Sequence, residues 1–399
     1  MKRYPYQWLA LCLMTMAWGI SGLVHNCVAF LFPFFSIEYS LGTEHNGYLT
    51  ATIAFFWTIS IIICGKKGDK YGQIQVMIPC LAIGAIALFG LALLQNIVLF
   101  YIVIAVAGFG CGSICSTSLS FLAEQSDPQK RGLFYGVAMS SFTLIGSAIG
   151  SLVFTRLGTI LGWRSCFMII GTLLVIEVAI LFLFGRRIPR NLEVRPTEEN
   201  THRFTELFAY RNVVISTVLA CLIMMWYFTT AAFTILYLIE HHAYSTVTAG
   251  AIFAGFGIGG FLGEFTAPII SDYIGRKTTA LVSSLAGTLC FAAFMLLELP
   301  PVGLTISIAA ASYFLSGAMA ILNSVVPSES VPGYLLATAT SFSPAAGEFV
   351  GGMIAPVLAG ILIQILDLTQ VMHLLLLLPL LATVGILLLK ETAPRLLAK

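Results

Sequence analysis

The chain has 399 residues, 58% of them apolar and only 10% charged, with a mean hydropathy of +0.95. Soluble chains carry about 25% charged residues, so water-soluble domains are excluded and the chain reads as an all-α integral membrane protein. The net charge of +2 includes no basic run and no acidic tail, which leaves nucleic acid out as a partner.

Crossing a bilayer takes about 20 mostly apolar residues. On that measure twelve spans are predicted: 7–35, 46–64, 74–94, 98–122, 133–155, 165–185, 212–239, 246–270, 278–297, 302–326, 335–364 and 369–389. No small-residue cleavage site follows Met1-Lys2-Arg3, so the first span is expected to stay rather than act as a removed signal. Lys and Arg favour the cytoplasmic face. With both termini inside, eighteen of the twenty lie on that face, from Lys2 and Arg3 to Lys399, and only Arg156 and Arg164 lie outside. The expected orientation is N-in and C-in, as a multi-pass protein of the cytoplasmic membrane.

The one long polar segment, 186–211, contains Pro189, Pro196 and Thr197-Glu198-Glu199-Asn200. It reads as a cytoplasmic linker between a six-helix bundle at 1–185 and a second at 212–399. The halves also match each other. Gly47 and Asp69 pair with Gly250 and Asp272 at an offset of 203, Gly146 and Gly150 with Gly347 and Gly351 at 201, and Glu124 with Glu329 at 205. Near-constant offsets indicate an internal duplication, a common plan among transporters.

At these residues the chain resembles the major facilitator superfamily along essentially its whole length. The superfamily's loop Gly-x-x-x-Asp-Arg-x-Gly-Arg-Arg is matched by Gly65-Lys66-Lys67-Gly68-Asp69-Lys70-Tyr71-Gly72-Gln73, and again by the stretch from Pro268 through Asp272 and Gly275 to Arg276-Lys277. The resemblance implies two six-helix bundles that rock about a central cavity, with Gly65, Asp69, Lys70, Gly72, Asp272, Gly275, Arg276 and Lys277 as a cytoplasmic gate. An Asp at a helix end can pair with bases or cap a neighbouring helix, and Gly permits the tight turn. Glu124 with Arg131-Gly132 is similar to a second gating signature. The second half keeps Glu329 but has no Arg seven residues on, so any ion pair there must take its base from elsewhere. Gly162-Trp163-Arg164 resembles a turn common in metabolite-uptake members. Two marks of drug antiporters are missing: Ile104 stands where they carry Arg, and Gly146-Ser147-Ala148-Ile149-Gly150-Ser151 where they carry Gly-Pro-x-x-Gly-Gly.

An ionisable side chain in hydrocarbon is expensive and marks a candidate site. The spans hold no Lys or Arg away from their ends, which leaves His25, Glu177, Glu264 and Glu348. Glu348 lies in Gly347-Glu348-Phe349-Val350-Gly351-Gly352, where helices can approach closely. A carboxyl able to take up a proton there suits proton coupling, and the resemblance places its helix on the cavity. His25, beside Asn26, is the second proton or substrate candidate. Glu264 reads as a gate or structural contact and Glu177 as structural. Trp57, Trp226, Tyr227, Thr230 and Asn323 add aromatic and polar groups suited to a small-molecule site.

No cofactor or metal is expected. The nine cysteines fall in apolar stretches and read as small buried hydrophobes, Cys111 and Cys115 have no His or acid at metal spacing, and Met224-Met225 has no spaced partner. The expected function is proton-coupled import of a small organic metabolite, an organic acid among the options, by a monomer. A proton-driven drug or metabolite exporter is the alternative, and a membrane enzyme or sensor is disfavoured by six scattered histidines.

Overall fold

In hydrocarbon an apolar segment has to close its backbone hydrogen bonds within itself, and a helix does so. The computed structural model describes residues 4–127, 130–189, 204–332, 335–393 and 395, and these form helices joined by short connections. The order is α1 (Gln7–Tyr39), α2 (Glu44–Tyr71), α3 (Gln73–Leu93), α4 (Ile97–Gln125), α5 (Arg131–Ser141) and α6 (Gly150–Leu183), with π-helical turns at Phe142–Ile149 between the last two. Then come α7 (Arg211–Glu240), α8 (Thr246–Ile274), α9 (Arg276–Leu296) and α10 (Pro301–Ala320). A π-helical Ile321–Val325 leads into α11 (Val326–Glu329), and α12 (Leu336–Gly347) runs through a π-helical Glu348–Ile354 into α13 (Ala355–Ile363). The described helices close with α14 (Leu368–Leu374) and α15 (Leu377–Ile386).

Among the described residues eleven stretches are long and apolar enough to cross a membrane, against twelve expected. The difference is one stretch, Gly132–Arg187, whose 56 residues contain both 133–155 and 165–185. At about 1.5 Å per residue it far exceeds one bilayer core of about 30 Å. It is broken at Gly162, where φ is 78° and ψ 160°, a conformation open to glycine. Of the earlier assignments, Lys2, Arg3, Arg190, Arg195, Arg203, Lys399, Pro196 and Thr197–Asn200 lie outside the described residues.

Cα packing separates two units, Met1–Gly42 with Leu49–Thr197, and Thr43–Tyr48 with Glu198–Lys399. Inside the first, α1 meets the π-helical turns so closely that a Cβ on Gly146 would stand 2.6 Å from the carbonyl carbon of Gly22. Inside the second, a Cβ on Gly351 would stand 2.6 Å from that of Met224 on α7. Gly22 and Met224 differ by 202 positions, the spacing of the duplication. Side-chain-free positions let the two backbones touch in each unit.

The duplication also sets the tight turns. Gly72 between α2 and α3 has φ 110° and ψ 140°, and Gly275 between α8 and α9 has φ 102° and ψ 149°. No side chain sits comfortably at such φ. These paired glycines therefore serve the backbone first.

Candidate functional site

In the first unit α1 carries His25, which is 3% exposed. Its imidazole lies edge-on to Trp57 of α2 at 5.3 Å between centroids, and to Phe142, the first π-helical residue, at 5.4 Å. Trp57 and Phe142 meet at 6.2 Å, so the three rings close a cluster. Two turns earlier on α1, Trp18 contacts Phe142 at 6.3 Å and donates its Nε1–H to Ser118 Oγ at 2.7 Å. Asn26 is directed elsewhere: its Nδ2 donates to the Gly22 carbonyl of its own helix at 2.9 Å. Edge-to-face rings with an imidazole among them thus form a buried aromatic cluster inside the first unit. Phe142 gave no signal in the sequence because its place follows from the π-helical winding.

In the second unit α7 presents Met224 to two neighbours. Asn323 Nδ2 lies 3.6 Å from the Met224 sulfur, and Ser343 Oγ of α12 donates to Asn323 Oδ1 at 3.1 Å. Gly347 and Gly351 seat the same sulfur-bearing residue against the segment that holds Glu348, which is half-buried at the start of its π-helical turns. Helices α7 and α12 and the π-helical segment that follows α10 are thus drawn together around Met224, Ser343 and Asn323, with Glu348 next to the packed glycine. Among the described residues, two of the three π-helical segments hold Asn323 and Glu348, and such windings recur at functional positions because they turn one side chain out of register.

Trp226 takes a different place. It is wholly buried against Phe256 of α8 at 5.8 Å and Phe291 of α9 at 5.3 Å, and its indole N–H has no hydrogen-bond partner among the described residues. Tyr227 also packs on Phe256, at 5.0 Å. Thr230 is wholly buried and its hydroxyl likewise has no partner there.

The two glycine turns carry different chemistry. In the second, Arg276 follows Gly275 and is 7% exposed. Its guanidinium bonds Glu329 through Nη2 at 2.8 Å and Nε at 3.2 Å, pairs with Asp272, and donates to Ser271 Oγ at 2.6 Å and the Pro268 carbonyl at 3.1 Å. The base that Glu329 lacked in sequence is therefore Arg276. Lys277 Nζ turns to the Leu387 carbonyl at 2.7 Å. In the first turn the position 203 residues earlier is Gln73, whose Nε2 donates to Asp69 at 3.1 Å. Lys70 lies over the Tyr71 ring at 5.2 Å, and Gly65 passes Ser116 closely enough that a Cβ would stand 3.3 Å away. Glu124 is buried at 9% exposure, while the side chain of Arg131 lies outside the described set.

The C-terminal stretch completes the second turn. Glu391 accepts from the backbone N–H of Arg276 at 2.7 Å and Lys277 at 3.1 Å, and Thr392 Oγ1 donates to Glu329 at 2.8 Å. A carboxylate at the start of α9 meets the helix's free donors and its positive end. Burial pushes the Glu391 carboxyl up, but the N–H bonds from Ala393, Arg276, Thr392 and Lys277 together hold it below the usual range. A group with a depressed folded pKa adds stability above its unfolded pKa, about 4.3 for Glu, and loses it as pH falls through the folded value. Glu391→Gln is therefore expected to lower the thermal midpoint at pH 7 and to narrow the gap from wild type below about pH 4. Parallel curves from pH 7 to pH 3 would remove that role.

Two acids stand apart. Glu264 is half-buried on α8 beside the Gly263 contact with α10. Glu177 of α6 is 0% exposed and neither oxygen has a hydrogen-bond partner among the described residues. A buried group without a partner costs about 1–3 kcal/mol. Glu177→Leu is expected to raise the thermal midpoint while uptake continues, and a lost uptake signal would give that acid a working role. Sequence reading also missed the clamp at the Gly162 break, where Arg164 stacks 4.2 Å over Trp163 and both bond Glu38, the indole at 3.1 Å and Arg164 Nη1 at 2.6 Å.

Comparison with known proteins agrees with this architecture. Over 288 residues the chain is 25% identical to an uncharacterized MFS-type transporter of Mycobacterium tuberculosis, covering 69% of this chain and 63% of that protein. It therefore spans somewhat less than two thirds of that relative's length. It is 22% identical over 400 residues to a gallate transporter of Pseudomonas putida, covering 90% and 86%. It is also 24% identical over 192 residues to the 4-hydroxybenzoate transporter PcaK of Pseudomonas aeruginosa, covering 47% and 41%. A crystal structure of a bacterial homologue of the human lysosomal transporter Spinster superposes with a TM-score of 0.78 at 17% identity, covering 96% and 97%, a likeness of fold. The sequence profile of the Major Facilitator Superfamily matches residues 7–347. With its duplicated glycine turns and helix packing, the chain belongs to the Major Facilitator Superfamily of transporters.

Proposed function

We propose that the protein is a secondary active transporter that imports a small aromatic acid together with protons, by alternating access, in the cytoplasmic membrane. The reading takes twelve spans with both termini inside, the Gly132–Arg187 stretch supplying two of them, and a monomeric protein. The observation that supports it most is the buried cluster of His25, Trp57 and Phe142, where aromatic faces stand beside an exchangeable proton. A planar aromatic ring stacks well on such a wall. Relatives named for gallate and 4-hydroxybenzoate support the same substrate class.

The second unit offers Asn323, Ser343 and Glu348 as polar groups, with Glu348 as the coupling acid and His25 as its competitor. Trp226, Tyr227 and Thr230 line α7 behind them. The turns at Asp69 and at Asp272–Arg276–Glu329 serve as the gate.

The test is uptake of labelled 4-hydroxybenzoate and gallate into proteoliposomes under an imposed pH gradient. Accumulation against the substrate gradient from the acidic side, abolished by a protonophore, is expected. Accumulation only inside an acid-loaded lumen, in exchange for protons leaving it, would make the protein an exporter, and no movement of either compound would remove the aromatic-acid reading.

A further inference from the structure

All nine cysteines are free thiols. Cys64, near the end of α2, and Cys80, two turns into α3, bring their sulfurs to 3.6 Å from each other across the helix pair. The approach is built into the packing. Cys80 is held against α4, where a Cβ on Gly110 would stand 2.6 Å from the Cys80 carbonyl oxygen. Gly65, next to Cys64, rests on Ser116 of the same α4. Ser60 Oγ lies 3.4 Å from the Cys64 sulfur and Lys67 follows less than one turn later, so polar and positive groups sit on one side of the thiol. Cys64 is 1% exposed and Cys80 half-buried, beside an exposed Pro79.

We propose that Cys64 and Cys80 are a reversible thiol–disulfide pair that braces the α2–α3 turn carrying Asp69. The oxidant class is a hydroperoxide. The more accessible Cys80 sulfur attacks the distal peroxide oxygen. The O–O bond breaks, one water leaves with hydrogen peroxide as oxidant, and a sulfenic acid forms. The Cys64 sulfur then attacks the oxidised sulfur, the S–O bond breaks, and a second water leaves with the remaining proton. Two thiols and one hydrogen peroxide thus yield one disulfide and two waters. Closing the sulfurs to about 2 Å ties α2 to α3 on either side of the Gly72 turn, across the nine residues Gly65 to Gln73 that include the last two turns of α2 and Asp69. The sequence alone reads these cysteines as inert buried hydrophobes, and only the pairing across α2 and α3 brings redox chemistry into view. Any effect on transport rests on the reading above, whereas the bond and the brace need no substrate to detect.

The purified full-length protein in lipid nanodiscs is treated with hydrogen peroxide and digested without reduction. A cross-linked peptide pair containing Cys64 and Cys80, two hydrogens lighter than the thiols and separated again by dithiothreitol, is expected. Backbone hydrogen exchange over residues 65–73 should slow several-fold on oxidation in the wild type, and not in Cys64→Ser or Cys80→Ser. Oxidation of other thiols without this cross-link overturns the pair, and a cross-link that leaves exchange over the turn unchanged overturns the brace. Should either serine variant misfold, exchange in the wild type before and after dithiothreitol decides the matter alone.

Discussion

Arg276→Gln is expected to destabilise the second unit by about 3 kcal/mol, the low end of the cost of breaking a buried pair, because Asp272 is half exposed. The substitution removes two carboxylate partners at once. Glu329 is 19% exposed along its side chain and would keep only the Thr392 hydroxyl among its described partners. A neutral glutamine is the natural control, since Gln73 holds the corresponding place in the first unit and bonds Asp69. Arg276→Lys keeps the charge but loses the planar fork that serves Glu329, Asp272, Ser271 and the Pro268 carbonyl together, so an intermediate loss is expected. Thermal unfolding in detergent reads the series. If all three proteins melt together, the network is a passive surface feature and the gate reading of the second turn falls with it.

Glu348→Gln is expected to abolish pH-driven accumulation, a loss of at least tenfold in the steady-state substrate ratio, or about 1.4 kcal/mol of driving force, while exchange across the membrane continues. A glutamine keeps the shape and hydrogen bonding of a protonated acid but cannot release a proton. The packed setting at Gly347 and Gly351 is untouched by the change, so loss of folding is not the expected route. His25→Gln supplies the competing arm, because His25 sits in the ring cluster of the first unit. Full pH-dependent accumulation in Glu348→Gln, with its loss in His25→Gln, would assign the proton to α1.

The same chain shows where sequence reading ends. Each long helix was legible because a bilayer tolerates few forms, and an apolar run of about 20 residues can satisfy its backbone only as a helix. The paired Asp69 and Asp272, with Gly72 and Gly275, were legible through the duplication, since a positive φ demands glycine in both copies. Membership of the superfamily follows from those same local signals. What joins distant positions was not legible. That Glu329 takes Arg276 as its partner, that Glu391 caps α9, that Phe142 completes the rings around His25 and that Cys64 meets Cys80 are all products of helix packing. The π-helical turns at Phe142, Asn323 and Glu348 also lie beyond a 3.6-residue reading, because they shift which face a side chain occupies. Local propensity and hydrocarbon burial thus fix the helices and their turns, whereas close packing at glycines decides which side chains meet.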